Sequence, residues 1–166
     1  LLETVDSAKA RGAETLCRVT GYGMAHGSVP FGKVTGSAAG LTAAVETALD
    51  DAHLTASDID AIVGFANGHS ALDAVEAEGL SKCFDLSRVP VISVKERAGE
   101  GRAASATLGL AHAALMLHGD LAEEPDAYLA AADGMKKVGV KSADLSRILV
   151  VSFAAGGSYT AIVAER

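Results

Sequence analysis

The stretch from residue 89 to residue 119 constrains the fold more than any other part of the sequence. It begins with a β-branched apolar run, continues through Lys95 and two glycines around Glu100, and ends in an apolar segment with helical periodicity. This order predicts a buried strand, a tight loop and a buried helix. Strand–loop–helix units usually carry chemistry at the loop, so Lys95 and Glu100 are candidate functional residues. In the simpler interpretation, Glu100 complements the helix dipole and Lys95 ends the strand.

Length and charge exclude several classes of protein. The 166 residues fit one domain, residues 1–166, of which 49% are hydrophobic. Together with a mean hydropathy of +0.28, this apolar excess predicts a surface buried against another chain. The net charge of −7, without any basic run, argues against nucleic-acid binding and against a helix lying on a membrane surface.

The cysteines and the apolar segments indicate neither a metal site nor a membrane anchor. Cys17 and Cys83 are far apart and have no metal-ligand spacing, so both are interpreted as small buried hydrophobic residues. No metal and no cofactor is predicted. The longest nearly uncharged apolar stretch, residues 103–117, is too short to span a bilayer, and the N-terminus does not resemble a signal peptide. We therefore expect a cytoplasmic protein.

Strand and helix patterns alternate along the chain, which predicts an α/β fold with a mixed, mostly parallel sheet flanked by helices. Residues 24–36 lack periodicity and are predicted to form a long loop. Residues 120–146 are more polar, contain Pro125, Asp133 and Gly134, and are predicted to be an irregular connection, with a short helix as an open alternative. The other predicted elements are a strand at 16–22, a helix at 37–52 capped by Ser37, a strand at 60–66, a helix at 71–84 capped by Ser70, and a closing hairpin of 148–153 with 158–164.

Three junctions between these elements are polar or rich in glycine: residues 67–70, 95–101 and 153–158. The first two follow strands that are predicted to be parallel. Because the carboxyl ends of parallel strands lie at one edge of a sheet, these two junctions should converge on a single crevice.

The order of segments resembles the C-terminal half of a β-ketoacyl synthase of the thiolase superfamily, and most closely a chain-length-factor subunit with a degenerate active site. The resemblance covers nearly the whole chain, and it rests on the order and spacing of several short matches. These are Arg11-Gly12-Ala13 with Val19-Thr20-Gly21-Tyr22-Gly23, Ala48-Leu49-Asp50-Asp51-Ala52, Asp58-Ile59-Asp60-Ala61-Ile62, Asp73-Ala74-Val75-Glu76-Ala77, Val89-Pro90-Val91 with Ser93 and Lys95, and Ser152-Phe153 with Gly156-Gly157.

The resemblance implies a fold of two similar halves, in which the other half carries a nucleophilic cysteine and this half carries two histidines. Those histidines correspond here to Asn67 and Glu100, whereas Lys95 matches the family lysine. Asn67 cannot shuttle a proton near neutral pH, and an ionised Glu100 would oppose a developing enolate. A protonated Glu100 would require burial to raise its pKa by several units. His69, two positions along the loop from Asn67, is a less favoured substitute because productive geometry tolerates little displacement.

The resemblance also implies positions that contact the substrate. Ser70 keeps one of the hydroxyl groups that contact pantetheine in the family. In the loop that gates the acyl tunnel, the family residues are retained at Phe153, Gly156 and Gly157. Ala154 and Ala155 replace the inner glycine and phenylalanine. The predicted substrate-binding residues are Ser70, Phe153, Ala155, Gly156 and Gly157.

Two main functions remain open from the sequence. The first is a non-catalytic partner of an active ketosynthase, with a separate N-terminal-half chain and, transiently, an acyl carrier protein as further partners. The second is the C-terminal half of a split acyltransferase or decarboxylase, completed by a separate chain that carries the cysteine. A phosphate site at residues 99–101 is disfavoured, because Glu100 would repel the anion and no Walker-type motif is present.

Overall fold

The first half of the chain places one helix against a long edge strand. The computed structural model describes residues 1–30, 36–154 and 156–166. Ser37 caps the second helix, as predicted, by accepting a hydrogen bond from the Gly40 N–H (3.2 Å). The elements are α1 (Val5–Ala10), β1 (Arg18–His26) and α2 (Ala38–Asp51).

The first strand is longer than predicted, so the expectation that residues 24–26 belong to a loop is wrong. Glycines in this segment obscured the alternation, but they serve packing. A Cβ atom at Gly21 would lie 2.2 Å from the Ala48 carbonyl oxygen, and one at Gly23 would lie 2.0 Å from that of Ala44. Only glycine lets α2 lie this close to β1.

The middle of the chain contains the two predicted strand–loop–helix units, but their strands are shorter than predicted. His69 rather than Ser70 is the N-cap of the third helix, which ends at Ser81 instead of near residue 84. Lys95 begins a short helix and therefore does not end a strand. The elements are β2 (Ala61–Val63), α3 (Ser70–Ser81), β3 (Val91–Ile92), α4 (Lys95–Ala98) and α5 (Ser105–His118).

The prediction that residues 120–146 form an irregular connection is wrong. They contain a β-hairpin of β4 (Glu123–Ala131) and β5 (Gly134–Lys141). Pro125 and Gly134, which suggested an irregular segment, both fit the geometry of the hairpin. Pro125 lies where the register between the strands shifts, and Gly134, with a φ of +121°, follows the turn. The predicted closing hairpin is confirmed as β6 (Arg147–Ala154) and β7 (Ser158–Glu165).

The described residues form one mixed seven-stranded sheet in the order β1-β7-β6-β2-β3-β4-β5. Its parallel pairings, β2 with β3 and β2 with β6, lie in the centre. The pairings on either side are antiparallel, so parallel pairs are fewer than predicted, mainly because the β4–β5 hairpin was not foreseen.

Helices cover both faces of the sheet. On one face α2 and α3 bury residues such as Leu41, Val45 and Leu80, and on the other α5 buries Met116 and Leu117. Cys17 and Cys83 are unpaired and only half-buried, and burial raises the pKa of both thiols. No helix in the described ranges combines the length and the apolarity needed to cross a membrane.

Candidate functional site

The two polar junctions converge, as predicted, through direct hydrogen bonds among their side chains. The Asn67 amide nitrogen donates to Oε2 of Glu100. The Lys95 ammonium group lies 2.9 Å from the same oxygen. The three predicted polar residues therefore form one cluster at the carboxyl ends of β2 and β3.

Glu100 is the centre of this cluster and is held ionised. Its second carboxylate oxygen accepts hydrogen bonds from the Arg102 N–H (2.6 Å) and the Ser105 hydroxyl (2.8 Å). The pKa of Glu100 is lowered to about 2, and the main cause is the hydrogen bond from Lys95. The hydrogen bonds from Ser105 and Arg102 lower it further. The condition under which Glu100 would be protonated near neutral pH, a pKa raised by burial, is not met.

Aromatic contacts connect the cluster to the third junction. The Lys95 ammonium lies 3.4 Å from the centroid of the Phe65 ring. That ring stacks on Phe153, with centroids 4.8 Å apart and an interplanar angle of 11°, and Phe153 meets Tyr159 edge-on at 5.1 Å. The cation and the aromatic rings attract one another, so Phe153 shares a packed unit with Lys95.

Among the described residues, Ser70, Gly156 and Gly157 make no side-chain hydrogen bond to the cluster. Gly156 and Gly157 form the β6–β7 turn with φ angles of +91° and +87°, which explains why glycine is required there. Ala155 lies outside the described residues. Ser70 is exposed in the first turn of α3. Substrate binding by these residues stays a prediction.

His69 has a structural role at the start of α3. Its backbone carbonyl accepts hydrogen bonds from the N–H groups of Leu72 and Asp73, both at 2.9 Å, and the residue is exposed. It does not line the cavity between α3 and the strands β3 to β5, which Asn67 borders. The geometry therefore gives no support to His69 as a substitute for a family histidine.

Sequence reasoning missed Glu76, a buried carboxyl on α3. It is 5% exposed, and it accepts hydrogen bonds from the N–H groups of Phe65 and Ala66, the latter at 2.8 Å. Burial raises the pKa of Glu76 to about 7, against the opposing effect of those two hydrogen bonds. The available signal was its position on the apolar face of α3, four residues before Leu80.

Glu76 and Asp73 together hold the loop that presents Asn67. The Asp73 carboxylate accepts from the Asn67 N–H (3.0 Å). Ala66, whose N–H is held by Glu76, has a φ of +40°, which is unusual for a residue other than glycine. Backbone strain of this kind persists where surrounding contacts hold it, and it is common at functional sites.

A cavity of about 750 Å³ opens beside the cluster, between α3 and the strands β3 to β5. Its volume is within the usual range for small-molecule sites. Polar groups from both junctions border it, while apolar side chains form most of the rest. The lining residues are Ala66, Asn67, Gly68, Asp73, Glu76, Ala77, Leu80, Leu86, Val91, Ser93, Lys95, Glu96, Gly99, Glu100, Tyr128, Ala130 and Met135.

Comparison with known proteins places the chain in a family. Residues 16–124 match the family model described as β-ketoacyl synthase, C-terminal domain. The chain is 34% identical over 116 residues to the tetracenomycin polyketide synthase ketoacyl synthase beta subunit of Streptomyces glaucescens, covering 69% of this chain and 28% of that protein. It is 35% identical over 120 residues to the putative polyketide beta-ketoacyl synthase 2 of Streptomyces virginiae, covering 70% and 28%.

Solved structures of low sequence identity share the fold. The ishigamide ketosynthase/chain length factor superposes with a TM-score of 0.83 at 23% identity, over 98% of this chain and 41% of that one. A type II polyketide synthase acyl carrier protein in complex with its ketosynthase bound to the hexaketide gives a TM-score of 0.84 at 19% identity, with the same coverage. The chain thus spans less than half the length of each relative, and the family match shows that it belongs to the β-ketoacyl synthase family as a C-terminal domain.

Proposed function

We propose that the chain is a non-catalytic, chain-length-factor-like subunit, or the C-terminal half of one. In this role it pairs with an active β-ketoacyl synthase in polyketide or fatty-acyl chain elongation. The observation that carries the proposal is the hydrogen bond between Asn67 and Glu100, the two positions where the family has histidines. Similarity to a ketoacyl synthase beta subunit agrees with this role.

The chemistry of these two residues is unsuited to the family reaction. Asn67 donates through an amide, which neither accepts nor releases a proton near neutral pH. Glu100 is a carboxylate whose pKa is about 2, so it would place a negative charge beside a developing enolate oxygen. Catalysis of this kind needs hydrogen-bond donors aimed at that oxygen. The cluster instead satisfies its own charges, since Lys95 and Glu100 pair with each other.

The proposed partners are an active ketosynthase, a chain that supplies the N-terminal half, and transiently an acyl carrier protein. Two of the structural relatives are described as a ketosynthase/chain length factor and as an acyl carrier protein in complex with its ketosynthase. Exposed apolar side chains on β1, Tyr22 at 49% and Met24 at 63%, give this chain surface that a partner could cover.

Native mass spectrometry of the protein, expressed together with the proteins encoded beside it, tests the proposal. We expect a stable complex with a ketosynthase that carries the nucleophilic cysteine. After exposure to an acyl-loaded carrier protein, the acyl mass should appear on that ketosynthase and not on this chain. Recovery of this chain as a monomer or homodimer, or an acyl group bound to it, would contradict the proposal.

A second measurement separates this role from the split acyltransferase or decarboxylase. In the same complex, the rate of malonyl decarboxylation is compared between the wild type and Asn67→Ala. Thr47→Ala, a change at an exposed hydroxyl on α2, serves as the control. A loss of about 100-fold or more in Asn67→Ala alone would be typical of a group acting in the transition state. That outcome would replace the scaffold proposal with the enzymatic one.

A further inference from the structure

We propose that residues 1–16 form an arm whose attachment to the end of α5 is controlled by the protonation of His118. This attachment is remote from the polar cluster, because α5 has 14 residues, with Ser105 of the cluster at its start and His118 at its end. About 20 Å of helix separates the two. The inference goes beyond the proposed function and does not depend on it. It rests on the contacts of the arm, the charges around His118 and the cavity beside them.

The arm makes its hydrogen bonds almost entirely within itself. The Glu3 carboxylate accepts from the Ser7 hydroxyl (2.7 Å) and from Nε of Arg11 (2.9 Å), and α1, which lies in the arm, buries none of its residues. Among the described residues, a single ion pair or hydrogen bond joins the arm to the rest of the chain, between Glu14 and His118 at 3.1 Å. The arm is therefore fastened by one pair of charged groups.

A second cavity, of about 450 Å³, lies where the arm meets the end of α5. Thr15 and Leu16 of the arm contribute to its lining, as do the last residues of α5, among them Leu117. Cys17, which connects the arm to β1, packs partly buried against the core cluster that contains Leu117. Release of the arm therefore opens this cavity and uncovers Cys17.

Two carboxylates face the His118 ring, one from the arm and one from the turn after α5. Nε2 lies 3.1 Å from Oε1 of Glu14, and Nδ1 lies 3.2 Å from Oδ2 of Asp120 without a well-aligned hydrogen bond. A neutral imidazole carries one N–H and can donate to one carboxylate only, whereas the protonated ring donates from both nitrogens. Protonation therefore lets His118 bind the arm and its own turn at the same time.

The other polar groups around His118 are one cation and the carbonyl end of α5. Arg166 lines the same cavity, but its guanidinium donates to the carbonyl oxygens of Leu117 (2.7 Å) and Ser142 (2.6 Å). The remaining residues that line this cavity have no titratable side chain. The free carbonyl groups at the end of a helix favour a cation in its last turn. These surroundings, with two carboxylates against one occupied guanidinium, favour the protonated ring.

The direction of the pH effect follows from these contacts. The Glu14 carboxylate, which accepts a hydrogen bond from His118, and then the Asp120 carboxylate raise the pKa of His118 above its ordinary value of 6.5. The contribution of the pair to attachment of the arm is therefore complete below pH 6.5 and is lost as the pH rises through the raised pKa. Because exposed ion pairs are weak, we expect the population of the released arm to rise about two- to fivefold.

Alkylation of the two cysteines by iodoacetamide in the 166-residue protein measures release of the arm. Both rates are followed by mass spectrometry, and the rate at Cys17 is divided by the rate at Cys83. Cys83 is also half-buried but packs against the core on the other face of the sheet, so the division removes the general effect of pH on thiols. We expect this ratio to rise about two- to fivefold between pH 6 and pH 8.5 in the wild type.

Variants of the pair test the role of its charges. His118→Asn and Glu14→Gln abolish the ion pair, so the ratio should be high at pH 6 and should not change with pH. His118→Lys keeps a cation at every pH in this range and should retain the low ratio at pH 8.5. His53→Asn is the matched control, since His53 is an exposed histidine just after the end of α2, and it should behave as the wild type does.

A direct effect of charge on the thiol has the opposite sign, because a nearby cation favours the thiolate and speeds its alkylation. The proposal is therefore overturned by faster alkylation of Cys17 in His118→Lys than in His118→Asn. A constant ratio in the wild type, or an equal rise in Glu14→Gln, would overturn it as well. An unchanged rate at Cys83 shows that a variant is folded, and Glu14, with 78% of its side chain exposed, can be changed without disturbing the core. Assembly with a ketosynthase is measured separately, so the two proposals can fail independently.

Discussion

Glu76 and Glu100 border the same cavity, but their surroundings shift their acidities in opposite directions. Glu76 is buried within α3, and loss of contact with water raises its pKa to about 7. Glu100 lies in the turn before α5 with 38% of its side chain exposed, and chiefly the hydrogen bond from Lys95 lowers its pKa to about 2. The comparison separates desolvation from pairing as causes of a pKa shift.

The two glutamates also differ in what they hold. Glu76 fixes backbone N–H groups of the loop before Asn67, so its contribution belongs to the fold. Glu100 binds mainly side chains and one N–H group near its own position. We therefore expect changes at Glu76 to alter stability and changes at Glu100 to alter the local charge of the site.

The largest expected effect follows from Glu76→Ala. This change leaves the N–H groups of Phe65 and Ala66 without their acceptor, and each unsatisfied buried group costs about 1–3 kcal/mol. We expect a loss of about 3–4 kcal/mol in the free energy of unfolding, measured with urea at pH 6. Glu78→Ala, which removes an exposed ion pair with Lys82 on the same helix, should cost less than about 0.5 kcal/mol. Equal losses in the two variants would refute the structural role of Glu76.

This residue shows where the sequence was sufficient and where it was not. Hydrophobic periodicity and capping residues predicted α2 and the closing hairpin, and the rule about carboxyl ends of parallel strands brought Asn67 and Lys95 together. The role of Glu76 depends on a loop that folds back onto its own helix, and no local pattern reports such a contact. A glutamate on a helix is most often solvated, so the residue type does not indicate that Glu76 is buried.

The β4–β5 hairpin was missed for a related reason. Its strands are rich in charged residues, and several of those charges are satisfied only by contacts with distant parts of the chain. Glu124 and Asp126 pair with Arg97, which lies 27 and 29 positions earlier. With Pro125 between them, the segment has the composition of a loop until its partners are known. The cavity could not be predicted either, because the hairpin forms one of its walls.

The second prediction concerns the pH dependence of stability. The pKa of Glu76 is about 7 in the folded protein, above its ordinary value of 4.5, so the folded state binds the extra proton between these values. The contribution of Glu76 is therefore complete below pH 4.5 and is lost as the pH rises through about 7. It amounts to at most about 3 kcal/mol.

Urea denaturation between pH 4.5 and pH 8 measures this loss. In Glu76→Gln, which cannot titrate, that part of the slope should disappear, although the variant will be less stable overall. A wild-type protein that becomes more stable across this range, with no difference in slope from Glu76→Gln, would show that burial does not control this carboxyl group.

The third prediction uses Lys95→Met, which removes the ammonium group near both carboxyls. Lys95 is the largest cause that lowers the pKa of Glu100, but it is the last of the causes acting on Glu76. In ¹³C NMR titrations of the glutamate side chains, the pKa of Glu100 should rise from about 2 toward its ordinary value of 4.5. The pKa of Glu76 should rise by less. A larger change at Glu76 would mean that charge, and not desolvation, dominates its environment.

The smallest expected effect on stability follows from Glu100→Ala. Because Glu100 is partly exposed and its pair with Lys95 is screened by water, we expect a loss of about 0.5–1 kcal/mol at pH 7, measured by urea denaturation. The lowered pKa makes the Glu100 contribution present above pH 4.5, and it is lost as the pH falls toward about 2. The difference between wild type and Glu100→Ala should therefore shrink in acid, where the contribution of Glu76 is complete. A loss as large as that of Glu76→Ala would mean that the polar cluster supports the fold, and Glu100 would then be retained for stability alone.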